Sequence, residues 1–226
     1  PGGPGGFGPP PGGPPPGGTP TMSLQQVAQS VRFRTNLGLA EGAGEPANGR
    51  IRVFNDLGVM LKELSYSLKP GEHKQINRYI ETQAGISNLE DGRIEITVDS
   101  DTGAVTAYAS VLDNVTTDPL AVMPVEVARV SASRYVLPGM ADLPGENNFH
   151  SDIRVYNGGT LPVTANFTYY PQGGGTPVTA PARTIQAGHV LASDNVLPTM
   201  FNQTSTGGSL VVTTGSTTSL VATGRT

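Results

Sequence analysis

In Arg93-Ile94-Glu95-Ile96-Thr97-Val98 an apolar side chain falls at every second position, the pattern of a strand with one face buried. Short runs of this kind recur along the chain: VRFRTNLGL, RIRVFN, LKELSYSL, RIEITV, AVTAYASVL and PLAVMPV over residues 31–125. A second series follows, FHSDIRVYN, PVTANFTYY, TPVTAPARTI, HVLASDNVL, GSLVVTT and SLVATGR. Clusters such as Asn157-Gly158-Gly159, Gly173-Gly174-Gly175 and Gly207-Gly208 separate the runs and supply turns. Such spacing predicts an all-β chain built as sandwiches. Only HKQINRYIETQAG has room for a helical turn or two, near residues 74–85.

Composition narrows the choice. Charged residues make up 14% of the chain, aromatics 6%, and Trp is absent, so the core must be aliphatic and thin. With no Cys, disulfides, thiolate metal sites and a Cys nucleophile are excluded. The net charge is −4 and the basic residues never cluster, which argues against a nucleic-acid partner. No apolar run reaches the roughly 18–20 residues of a membrane-spanning helix. An opening Pro1 in place of Met points to processing or an incomplete gene product.

The two series of strands look like one repeated module. Phe33-Arg34-Thr35-Asn36-Leu37 matches Phe149-His150-Ser151-Asp152-Ile153, and Ser67–Gly71 matches Thr184–Gly188. Asp91–Ile96 matches Gly207–Val212, and Ala104–Ser110 matches Ser219–Gly224. The expected layout is a Pro/Gly-rich arm with a strand over 1–30, one immunoglobulin-like domain over 31–127 and a second over 128–226. The segment 127–148 joins them and is a candidate first strand for the second domain.

The phrases FRTNLGL, SLKPGEHKQI, DGRIEITV and AVTAYASVLDNVTTDPLAVMP resemble an Ig-like repeat module of large secreted bacterial proteins. The whole layout, an arm followed by two such domains, resembles the subunits of helical extracellular fibrils from environmental water samples. That resemblance implies a bacterial cell-surface filament in which an N-terminal strand of one protomer completes its neighbour. It implies no catalytic residues and no cofactor.

The repeat also exposes a mismatch. The first module continues past Val111 into Pro119–Val125, whereas the second stops at Thr226, one strand short. An uncovered edge leaves backbone groups unpaired and invites a strand from another chain. The expected donor is the stretch 20–30, with Met22, Leu24 and Val27 as its apolar contacts. The expected acceptor edge carries Leu210, Val212, Leu220 and Ala222. Alternatively, residues 20–30 form the first strand of the first module and residues 1–20 lie along a neighbour. Residues 1–20 are Pro or Gly except Phe7 and Thr19, and proline cannot donate to a ladder.

Chemical motifs are sparse. His73, His150 and His189 stand far apart with no metal-ligand spacing, and neither H-E-x-x-H nor G-x-S-x-G occurs. Asp99-Ser100-Asp101-Thr102-Gly103 opens like a calcium loop but lacks the distal carboxylate, and reads as a hairpin turn. Asn114, Asn166 and Asn202 head N-x-T triplets and are candidate glycosylation sites. The expectation is a non-catalytic homopolymer assembled head to tail outside the cell. Its rival is an adhesin or carbohydrate-binding pair of domains from a larger secreted protein, with surface glycans as partner.

Overall fold

The computed structural model describes residues 21–145 and 148–226; the expectation for residues 1–20 lies outside them. Strands hold 61% and helix 6%, so the protein is all-β, as the alternation predicts. In chain order the first half runs β1 (Thr21–Gln29), β2 (Phe33–Glu41), β3 (Ala47–Phe54), β4 (Met60–Leu68) and β5 (His73–Ile76). It continues with α1 (Tyr79–Thr82), β6 (Leu89–Val98), β7 (Val105–Asp113), β8 (Pro119–Val122) and β9 (Val125–Glu126). A 3-10 turn at Val127–Arg129 leads to β10 (Ala132–Leu143), β11 (Phe149–His150), β12 (Asp152–Asn157), β13 (Val163–Pro171) and β14 (Val178–Ile185). Last come β15 (Val190–Ser193), α2 (Val196–Phe201), β16 (Thr206–Thr218) and β17 (Leu220–Arg225).

Antiparallel pairing gives sheets of order β4-β3-β6-β1-β9 and β5-β2-β7-β8 in the first half, and β11-β10-β16-β13-β14 and β15-β12-β17 in the second. Within each half two sheets share one hydrophobic cluster, as in a sandwich. The first cluster holds Leu37, Leu39, Ile51, Val53, Ile94 and Ile96; the second holds Ile153, Val155, Phe167, Tyr169, Leu210 and Val212. In β3 the inward positions Ala47, Gly49, Ile51 and Val53 are buried while Asn48, Arg50 and Arg52 face outward. Gly49 has no room for a side chain: a Cβ there would meet the Thr97 carbonyl and the Tyr66 ring. The ring lies across this gap, and its hydroxyl donates to the Thr97 carbonyl at 3.0 Å.

The proposed internal repeat reappears in the pairing. β2 binds β5 and β7 just as β12 binds β15 and β17, while β3 binds β4 and β6 just as β13 binds β14 and β16. The short helix α1 plugs Tyr79 and Ile80 into one core, and α2 plugs Val196, Leu197 and Phe201 into the other. The second of these helices departs from the sequence expectation, which had NVL in a strand. Asn195, in the left-handed region at φ 47, turns the chain after β15, and Pro198 falls in the first turn, where its missing N–H costs nothing.

Candidate functional site

Strand β1 is buried from Met22 through Gln29. It pairs with β6 from Thr21↔Thr97 to Gln29↔Leu89 and touches β9 at Met22 and Ser23. Met22, Leu24 and Val27, the expected donor side chains, therefore sit in the first core of the same chain. This is the alternative arrangement, a first strand of the first module, and not one filling the second half. The ladder breaks between Leu24 and Val27, where Gln26 takes φ 58, a bulge. Gln25, Gln26 and Gln29 are buried yet each keeps one amide atom without a hydrogen-bond partner. Beyond Gln29, residues 30–32 turn the strand into β2, where the Ser30 hydroxyl accepts from the N–H of Arg32 and of Phe33, both at 3.1 Å.

On the other half the expected acceptor residues separate into two groups. Leu210 and Val212 belong to β16, which is flanked by β10 and β13 and is therefore no edge. Their alternation only shows that they face the core, and both are fully buried. Leu220 and Ala222 belong to β17, which among the described residues pairs only with β12. Gly158 N–H donates to the Ser219 carbonyl at 3.0 Å, which fixes the phase of the ladder. The bonded pairs are then Tyr156–Val221 and Arg154–Thr223, so the backbone groups of Leu220, Ala222 and Gly224 point away from β12. In the first half β8 covers Ala109–Leu112 of β7; no such strand lies on β17 among the described residues.

Two arginines tie the halves together. Arg93 of β6, only 4% exposed, lies 4.0 Å from the Phe54 ring centroid and 4.5 Å from that of Tyr156. It also donates to Glu95 at 3.1 Å and to the Gly188 carbonyl at 3.2 Å. Arg154 of β12 pairs with Asp91 and, at 2.6 Å, with Asp194. Burial raises the Asp91 carboxyl above its usual range against the opposing pull of Arg154. Planar guanidinium groups suit this stacked and forked bonding. The sequence offered no sign of the junction, since the residues concerned are dispersed from Phe54 to Asp194.

The remaining candidates have local partners. His73 stacks on Tyr108 at 6.0 Å between ring centroids, and His150 bonds Asp142 at 2.8 Å. Asp99 pairs with Arg50, whose hydrogen bond and charge hold the Asp99 carboxyl below its ordinary range. Among the described residues no cluster of metal-ligating side chains forms. The Asn114 amide donates to the Val31 carbonyl at 3.0 Å and its oxygen accepts from Arg34, so a sugar on its nitrogen would compete with the Val31 bond. Asn166 and Asn202 are exposed.

Glu41 and Asn157 close β2 and β12 at matching positions, and both are buried. Glu41 accepts from the N–H groups of Ala43, Gly71, Gly44 and Ala104 at 2.7–3.3 Å, and these bonds, Gly71 foremost, lower its pKa to about 2. Asn157 instead donates to the carbonyls of Leu161 and Ile185 and accepts from Gly159. No known protein family, curated protein or solved structure matches the chain. No described helix is long and apolar enough to cross a membrane.

Proposed function

We propose that this protein is the structural, non-catalytic subunit of an extracellular, bacterial cell-surface filament, built from two tandem Ig-like sandwiches. It polymerises head to tail by exchange of β1 between copies. The observation that carries the reading is the place of β1: it precedes every other described strand, is buried along nearly its whole length and, among the described residues, is linked along the chain through residues 30–32 alone. Each large apolar side chain in the slot is worth roughly 1.5–3 kcal/mol on burial, so an empty slot is costly. A neighbour's β1 makes the same contacts as the chain's own, so concentration and the cost of the turn decide between closed and exchanged forms. Exchange in one direction that does not close gives a filament. The edge of β17 that no described strand covers is a second place for a strand from another copy, through Leu220, Ala222 and Gly224.

Thr21 and Thr97 are direct partners, and antiparallel partners lie about 4.5–5.5 Å apart at Cα, within disulfide reach. In a chain with no Cys of its own, the double variant Thr21→Cys, Thr97→Cys reports which copy fills each slot. Oxidised filaments are expected to give a ladder of covalent multimers on a denaturing gel. Filaments that yield only monomer would rule out exchange, and protein that stays monomeric by electron microscopy at high concentration would rule out the fibre.

A further inference from the structure

Strand β1 is buried on two faces, and the first core accounts for only one of them. Met22 and Leu24 point into that core, so the alternating Ser23 and Gln25 point away from it, yet they are 0% and 2% exposed. Their cover comes from the far side of the sheet, where β1 lies against β12 and the 3-10 turn at Val127–Arg129. Tyr156 and Val221, direct partners on β12 and β17, are likewise buried although neither belongs to either core. The Arg93 guanidinium lies over the Tyr156 ring. Ser23 pairs with Glu95, two residues along β6 from Arg93, so all three side chains share one sheet face. The outer face of the first half is thus laid on the outer face of the smaller sheet of the second.

The seam differs in chemistry from both cores. Across it Arg93 donates to the Gly188 carbonyl, Arg154 pairs with Asp91, and the Val190 N–H donates to the Asp56 carbonyl at 2.8 Å. Gln25 donates its amide N–H to Ser23 at 2.7 Å and leaves its carbonyl oxygen without a partner, a cost that water removes. Polar contacts of this kind between units of one chain part more readily than apolar cores. Parting breaks neither hydrophobic cluster, because each lies within its own half. Among the described residues no sheet pairing crosses the seam, and the chain runs from one half to the other through residues 127–131. We propose that the second half is the lock on β1: the strand leaves its slot only after the halves swing apart about residues 127–131 and uncover Ser23 and Gln25. What the lock does for assembly rests on the exchange reading; the lock itself is a property of the single chain.

Asp56 and Val190 meet through that backbone bond, at a separation suited to a disulfide, and neither belongs to the β1 ladder. In a chain with no Cys of its own, Asp56→Cys, Val190→Cys therefore fastens the seam without touching β1. Amide exchange in the monomer, read by mass spectrometry, compares this protein oxidised and reduced. Oxidation should slow residues 21–29 at least about tenfold while β2 and β7 change less than about twofold, as a separate local opening requires. Tyr156→Ala, which loosens the seam from the second half, should speed residues 21–29 well beyond β2 and β7. Equal β1 rates in the two forms would overturn the proposal, since the strand then peels with the halves together. So would a disulfide that slows β1 and β2 alike, one that does not form, or a Tyr156→Ala variant that moves β1 no more than β2. Protein that never forms filaments would count against the exchange reading and leave these rates untouched.

Discussion

The two halves share one pairing plan and differ at their margins. In the first, the opening strand β1 is attached to the rest at one end, among described residues, and β8 covers part of β7. In the second, the equivalent strand β10 continues at both ends, from the turn after β9 and toward β11, while β17 pairs among the described residues with β12 alone. The cores differ too: the second relies on Phe167, Tyr169 and Phe201, the first on Leu37, Leu39, Ile94 and Ile96. One scaffold can therefore be tuned for exchange or for permanence without altering its ladder, by changing which margins are tethered and which are covered.

The largest test asks whether the halves are separate cores. Phe167→Ala should cost about 3–5 kcal/mol through the cavity it leaves. Amide exchange is expected to accelerate first in β12, β13 and β16 and to lag in β2, β3 and β6. Equal acceleration everywhere would mean that Arg93 and Arg154 fuse the halves into one cooperative unit.

Next in size is a contrast between edges. Ala109 bonds β8 opposite Val122, so Ala109→Pro breaks a ladder bond and should lower stability by about 1–3 kcal/mol. Ala222 turns its N–H outward, and Ala222→Pro should cost the monomer less than about 1 kcal/mol. Denaturant midpoints compare the two directly. A larger loss at Ala222 would show that its N–H has a partner and that the edge is closed.

The smallest effect concerns pH. Because the Glu41 pKa falls to about 2 on folding, its contribution is fully present above the unfolded value near 4.5 and fades as pH drops from there toward 2. Asn157 has no such charge. Melting between pH 5 and 2 should therefore destabilise the first half through this site, and Glu41→Gln should flatten that limb. An unchanged acid limb in the variant would remove Glu41 as its cause.

Much of this fold was legible because alternation reports burial: RIEITV, IRVF and TANFTYY all form the strands they advertise, at β6, β3 and β13. Strand β1 was harder, since Gln25, Gln26 and Gln29 interrupt its apolar alternation and are nonetheless buried. The helix α2 was missed because six residues hold too little of a 3.6-residue period, and Pro198 reads as a breaker. Leu210 and Val212 were given to an edge because alternation tells which face a residue takes, never which strand lies beside it. Lateral order comes from long-range pairing, and so does the arginine junction.

The bulge at Gln26 has a kinetic side. It divides the β1 ladder into one stretch ending at Leu24 and another beginning at Val27, so the strand does not have to release all its bonds in one event. One stretch can peel while the other still grips, and the activation barrier is split into two lower steps. In the exchange proposed above, an incoming strand would take over a vacated stretch before the resident one had left, so the core would never be wholly exposed to water. Stepwise displacement of that kind would set the tempo of the proposed exchange without changing its equilibrium.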